Sequence, residues 1–441
     1  MTMIELSAVD AARKIRDGEV TSENLVQACL GRIDELEPMV GAWIHLDRGS
    51  ALEQARAADE RHQSGLATGP LNGVPVGIKD IIDTANMPTE NGTVLHSGRS
   101  PDHDATLVGL LREAGAVIPG KTVTTELAVY APGKTANPHD IMRTPGGSSS
   151  GSAAAVASFM TPLAVGTQTN GSVIRPASFC GVFGYKPSFG RISRHGVLRQ
   201  ARSLDTVGVF GRSLDDLALI ADVLMCFDDR DPAMTPVARP EIARIMDHEP
   251  PVEPNLAFVR TPVWDRAEEG TKDAFRELLD HMGDRVDVVD LLPVFDDAHA
   301  IHRRIMSAEI AQSFAKEYQD GADQLSDQLR ALIEEGQNVS VADYEAALEQ
   351  VAEFSSDLEG IFGDYDAIMT PPAPGEAPLG LESTGDASFN TIWTLCGTPA
   401  ITLPMLQGAD DMPLGVQLVS YKGDDARLFR TARWLLELFA D

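Results

Sequence analysis

From Pro145 to Ser172 the chain alternates between segments that resist regular structure and segments too short to be anything but buried. Pro145-Gly146-Gly147-Ser148-Ser149-Ser150-Gly151 is too rich in glycine and serine for a helix or strand, and its residues favour turns that aim backbone N–H groups toward one point. Ala153 to Phe159 then reads as a helix of small residues, and Pro162 to Gly166 as a buried strand. That strand delivers a second loop, Thr169-Asn170-Gly171-Ser172. A helix that leads straight back to a strand brings both serine loops to one edge of a sheet. A flexible linker, the ordinary reading of an isolated Gly-Gly-Ser-Ser-Ser-Gly-Ser run, has no place in that arrangement.

An edge carrying two serines invites a chemical reading. A serine hydroxyl is a poor nucleophile near neutral pH, so it needs a neighbour to take its proton and backbone donors to hold the oxyanion. Lys79, in Gly77-Ile78-Lys79-Asp80, can be that neighbour, with Ser148 and Ser172 completing a serine hydrolase whose base is lysine. The plain alternative for Lys79 is a surface lysine after a strand. A rival motif overlaps the first loop, because Gly147-Ser148-Ser149-Ser150-Gly151 satisfies GxSxG and would make Ser149 the nucleophile of an α/β-hydrolase elbow. That elbow requires a strand before it and an Asp and a His after it. The preceding segment, Asn137 to Pro145, is turn-like, while His195, His281, His299 and His302 remain formal partners.

The two loops, the continuation Gly166-Thr167-Gln168-Thr169-Asn170-Gly171-Ser172-Val173-Ile174-Arg175-Pro176 and Phe179-Cys180-Gly181 together resemble the signature region of the amidase signature family. Ser148 and Ser172 lie 24 positions apart, as the two family serines do, and Val74-Pro75-Val76-Gly77-Ile78-Lys79-Asp80 is similar to the family's lysine motif. The similarity continues through Arg202-Ser203-Leu204-Asp205, Gly397-Thr398-Pro399-Ala400 and Pro413-Leu414-Gly415-Val416-Gln417, and is weakest between Phe227 and Asp364. The resemblance implies an α/β amidase signature fold: a large twisted mixed β-sheet covered by helices on both faces. It implies one domain over 1–441, divided into an N-terminal helical layer (1–65), a signature core (66–225), a variable helical section (226–364) and a sheet-completing part (365–441).

Carried over position by position, the resemblance makes Ser172 the nucleophile, Ser148 a bridging serine on a cis peptide and Lys79 the base. The backbone N–H groups of Thr169, Asn170, Gly171 and Ser172 take the oxyanion-hole positions. The expected product is an acyl-enzyme that water hydrolyses. Lys79 must then be neutral. Keeping a lysine that titrates near 10.4 neutral at pH 7.5 costs about 4 kcal/mol, which burial in the apolar run Val74 to Ile78 can impose. Two departures from the common pattern, Asn170 for glycine and Gln168 for aspartate, bear on substrate and fine geometry more than on catalysis; asparagine is the non-glycine residue that best tolerates left-handed backbone.

Arg175 stands three positions after Ser172, where the common pattern has its arginine two positions on. This version is similar to the malonamidase-like branch and implies a guanidinium facing a substrate carboxylate, hence a small half-amide such as malonamate. The competing reading has Arg175 paired with an internal acid, bracing the loop. Three further readings accompany it. One is a glutaminase in a glutamyl-tRNA amidotransferase complex, whose glutaminase component the stretch Gly190-Arg191-Ile192-Ser193-Arg194-His195-Gly196 also resembles. Another is a broad-specificity aryl or alkyl amidase. The last is a silent scaffold, against which intact Lys79, Ser148 and Ser172 speak.

Composition narrows the surroundings. A formal charge of −30 disfavours nucleic-acid binding, which rests on Lys and Arg neutralising phosphates. Cys29, Cys180, Cys226 and Cys396 are scattered singly and the histidines show no ligand spacing, so neither metal, disulfide nor other cofactor is expected. Met1 to Val20 lacks the apolar core of a signal peptide, and Ala153 to Val165 is interrupted by Pro162 and too short to span a bilayer. A cytoplasmic, membrane-free enzyme of a small-molecule amide is expected, working as a homodimer, with the N-terminal helices (Ala8 to Asp17, Glu23 to Leu36, Ala51 to His62) as a core layer or a dimerisation arm. Asp231 to Pro254, with six prolines, reads as a surface connection. Helices follow near Thr271 to Met282, His299 to Tyr318, Gln324 to Glu335 and Val341 to Ile361. Strands return at Asp366 to Thr370, Ala400 to Pro404 and Gly415 to Val419, before a closing helix from Asp425 to Phe439.

Overall fold

The computed structural model describes residues 2–440. Its strands, in chain order, are β1 (Trp43–Leu46), β2 (Val76–Lys79), β3 (Gly120–Thr122), β4 (Leu163–Gln168), β5 (Phe183–Lys186), β6 (Thr206–Gly211), β7 (Leu256–Arg260), β8 (Val286–Asp290), β9 (Ala367–Thr370), β10 (Ala400–Gln407) and β11 (Pro413–Val419). They form one 11-stranded mixed sheet in the order β1-β3-β2-β4-β6-β5-β10-β11-β9-β7-β8. β3, β2 and β4 run parallel, as do β9, β7 and β8, while the central pairs from β4–β6 through β11–β9 are antiparallel.

Alternation along the strands sends side chains to two separate cores, as the period of two requires. Leu256 and Phe258 of β7 enter one core and Ala257 and Val259 the other; in β9 Ala367 and Met369 part from Ile368 in the same way. The first core is closed by helices Leu214–Leu224 and Asp425–Leu438, the second by Ala298–Ser313, Asp327–Gln337 and Val341–Asp364. Helices therefore cover both faces of the mixed sheet, the α/β architecture that the resemblance implies.

The loop-helix-strand stretch packs around a small core of its own. The helix Ser150–Ala157 is almost wholly buried, and its Ala153 and Val156 pack with Ala164 of β4 and with Val173 and Ala177, the latter in the helix Ile174–Cys180. Small residues are obligatory here. A Cβ on Gly166 would meet Ser149 Oγ at 2.5 Å, and one on Gly151 would meet the carbonyl oxygen of Ala42 at 2.2 Å.

Several expectations change. The 1–65 layer is not purely helical, since it contributes the edge strand β1, antiparallel to β3; its helical stripes are core, with Leu25, Val26, Cys29, Leu30 and Ile33 buried. The 226–364 section contributes β7 and β8, which helical periodicity in the flanking segments obscured. Asp231 to Pro254 holds a short helix, Ile242–Met246, whose Ile242 and Met246 are buried. The prolines flank that helix without interrupting it, and Asp222 accepts the N–H groups of Ile242 and Ala243 at 2.7 and 3.0 Å. The helix expected from His299 to Tyr318 breaks at Phe314 into Ala298–Ser313 and Ala315–Gly321.

Candidate active site

β2 and β4 are parallel neighbours, with Ile78 opposite Val165, so Lys79 and the loop after Gln168 emerge from the same carboxyl ends of adjacent strands. Lys79 is fully buried. Its Nζ lies 2.8 Å from Ser148 Oγ, 3.1 Å from Ser149 Oγ and 2.9 Å from Thr167 Oγ1. These are hydroxyl partners, each able to accept from an ammonium or donate to an amine. Burial holds Lys79 well below the ordinary lysine range, and the charge of Asp205 only partly opposes it. The Gly147–Ser148 peptide is cis.

Ser172 is half-buried where Ser148 and Ser149 are buried. It closes a loop whose backbone is open for donation: among the described residues, the N–H groups of Asn170, Gly171 and Ser172 donate to no main-chain carbonyl. Gln168 Oε1 instead takes the N–H groups of the next two residues, Val173 and Ile174, at 2.8 and 3.0 Å. Gly171 cannot be replaced without movement, because a Cβ there would meet Asn390 Nδ2 at 2.7 Å. One loop thus offers a half-buried serine and a cluster of free main-chain donors, and the neighbouring strand ends in a buried lysine held by three hydroxyls.

Ser149 sits differently from an elbow nucleophile. It is fully buried, its Oγ accepts from the N–H of Thr167 at 3.2 Å, and no strand precedes its loop. His299 Nε2 lies 3.0 Å from the carbonyl oxygen of Ser388, and His302 Nε2 lies 2.9 Å from that of Thr169.

Arg175 is buried and has no carboxylate partner among the described residues. Its Nη2 donates to Gly147 O at 2.6 Å and to Thr384 Oγ1 at 3.1 Å, while Nε and Nη1 have no partner. Burial pulls the guanidinium down to about 10, still charged at neutral pH. Unpaired donors on a buried cation are costly unless a ligand supplies the acceptor. The bracing role weighed from sequence is thus only half met: Arg175 ties the Ser148 loop through Gly147, but not through an internal acid.

Several site groups were missed, or given another role, from sequence. Thr167 and Ser149 complete the partners of Lys79. Asp205 accepts from Thr169 Oγ1 at 2.7 Å and from the N–H groups of Gln200 and Ala201 at 2.8 and 3.0 Å; burial lifts its carboxyl to about 6. Its presence in the Arg202-Ser203-Leu204-Asp205 stretch was the only signal in the sequence. Because its charge favours protonated Lys79, Asp205→Asn is expected to move the acid limb of the kcat profile to lower pH; an unmoved limb would exclude electrostatic coupling between the two.

Comparison with known proteins adds to this geometry. The family described as Amidase matches residues 24–429. The chain is 33% identical over 474 residues to a glutamyl-tRNA(Gln) amidotransferase A-subunit of Streptomyces avermitilis, covering 98% of this chain and 94% of that protein. Among solved structures, a chain from a vestigial protein complex bearing on the origins of an s-triazine catabolic enzyme superposes with a TM-score of 0.92 at 25% identity, covering 98% of each chain. The peptide amidase of Stenotrophomonas maltophilia superposes with a TM-score of 0.86 at 28% identity, over 98% of this chain and 96% of that one.

Proposed function

The chain belongs to the Amidase family, and on that footing we propose that it is an amidohydrolase of small amides bearing a carboxylate, working through Ser172, Ser148 and Lys79. The observation that carries the catalytic part is the buried, hydroxyl-bound Lys79 with its lowered proton affinity. In this reading Ser172 Oγ attacks the amide carbonyl while its proton passes through Ser148 to neutral Lys79. The N–H groups of the Thr169–Ser172 loop hold the oxyanion. The same relay returns the proton to the leaving amine, and water then repeats the sequence on the acyl-enzyme, releasing the acid.

Arg175 carries the substrate part. Its Nε and Nη1 lack an acceptor, a substrate carboxylate is the anion that could supply one, and the class so defined includes glutamine as well as malonamate-like half-amides. The named relatives support the glutamine member, as the ammonia-releasing component of a complex, better than the half-amide. Ammonia release from glutamine and from malonamate, by the purified chain alone and with candidate partner proteins, separates the two. No release from either, under any of these conditions, would reject the carboxylated-amide class.

Arg175→Ala is expected to lower kcat/KM on a carboxylated amide by about 30-fold to 200-fold more than on a neutral amide of equal size, the loss of one charge-assisted pair. The ratio is the informative quantity, since losing the Gly147 and Thr384 contacts would slow both substrates alike. Equal losses would assign Arg175 to loop bracing alone.

A further inference from the structure

Three consecutive peptide groups, Thr169–Asn170, Asn170–Gly171 and Gly171–Ser172, carry the N–H groups that face the oxyanion in the proposed mechanism, and each has its carbonyl held. His302 Nε2 lies 2.9 Å from Thr169 O, Thr394 Oγ1 donates to Asn170 O at 2.5 Å, and the N–H of Arg175 donates to Gly171 O at 3.0 Å. A carbonyl only accepts, so His302 must carry its proton on Nε2. Burial pulls that ring down to about 4, leaving it neutral in a single tautomer across the working range.

Gln168 connects this set. Its Nε2 donates to Thr394 Oγ1 at 3.0 Å, which directs the threonine's own proton onward to Asn170 O, while its Oε1 removes the N–H groups of Val173 and Ile174 from competition. A trans peptide is planar with C=O and N–H opposed, so fixing the carbonyl fixes where the N–H points. Donation to the carbonyl also polarises the amide and strengthens its N–H as a donor.

We propose that Gln168, Thr394 and His302 are positioning residues, which aim and polarise the main-chain oxyanion donors from behind. The proposal rests on the oxyanion reading of the Thr169–Ser172 loop. It also accounts for glutamine where the common family pattern has aspartate: a carboxylate could accept the two N–H groups but could not donate to Thr394. The threonine proton would turn toward the carboxylate and leave Asn170 O unpartnered. His302 and Thr394 come from helices Ala298–Ser313 and Thr391–Leu395, so parts of the chain far from the serine loops govern the donors.

The test uses the full chain and a fluorophosphonate, whose phosphoryl oxygen occupies the oxyanion position when Ser172 is labelled. Gln168→Glu, Thr394→Val and His302→Ala are each expected to slow labelling and kcat together by about 10-fold to 100-fold, less than loss of a direct donor. KM should change less than about threefold, because the donors act on the transition state. Thr394→Ser, which keeps the hydroxyl, should stay within about threefold of wild type. Labelling and kcat at wild-type rates in Gln168→Glu and Thr394→Val, or Thr394→Ser as impaired as Thr394→Val, would overturn the proposal. If His302→Ala does not fold, the Thr394 pair decides, since threonine, serine and valine differ little in volume. A wild type that is not labelled at Ser172 at all overturns the underlying nucleophile reading, a distinct result.

Discussion

Ser172→Ala is expected to abolish covalent capture by a fluorophosphonate and to lower kcat by on the order of 10⁴-fold or more, while the fold remains intact by circular dichroism. The expectation rests on placement. Ser172 is the half-buried serine on the loop of free donors, whereas Ser148 and Ser149 are buried and bound to Lys79. Intact-protein mass spectrometry should find one adduct on wild type and none on the variant. An adduct that persists in Ser172→Ala and maps to Ser149 would move the chemistry to the GxSxG elbow, in spite of the burial that argues against it.

Lys79 carries the second large effect. Lys79→Ala should lower kcat by about 10³-fold or more, and Lys79→Arg should not restore it, because a guanidinium keeps its proton at any working pH and cannot act as base. Near-normal turnover in Lys79→Arg would remove the lysine from the proton path. The same burial leaves a mark on stability. Lys79 is held below its unfolded value, so between the two pKa values the unfolded chain binds a proton that the folded chain does not. The resulting cost is present below the unfolded pKa and disappears as pH rises through it. Lys79→Met, which cannot bind that proton, should therefore gain stability relative to wild type at neutral pH. That difference should shrink by about 1.4 kcal/mol per pH unit on approach to pH 10. Denaturant titrations of both proteins from pH 7 to 10 measure it; a difference independent of pH would mean that folded Lys79 keeps its proton.

Much of this site could be read before any coordinates because it is local. A glycine- and serine-rich loop, a helix of small residues and a returning strand follow one another closely, and each is dictated by residue type: glycine where no Cβ fits, alanine where a helix lies against a strand. The C-terminal strands and closing helix were also legible, since continuous apolar runs and a clear helical period mark them. β1, β7 and β8 were not. Each is only four or five residues long, sits toward a sheet edge or beside another edge strand, and is surrounded by stronger helical patterns.

Residue type and spacing along the chain nominate the groups that could do chemistry: Lys79, the two serines, the loop between Thr169 and Ser172 and the arginine three positions beyond it. Residue identity and short-range spacing suffice for that, because a loop and its neighbouring helix and strand are fixed by contacts among close positions. Tertiary structure alone decided what state those groups are in. Lys79 loses its proton affinity because β2 and β4 pair and seal it among Ser148, Ser149 and Thr167. Arg175 keeps two donors free because no acid from elsewhere in the chain reaches it, and the donor loop is held by His302 and Thr394 from distant helices. Desolvation and hydrogen-bond partnership depend on what the whole fold brings to a point, and spacing along the chain does not encode them.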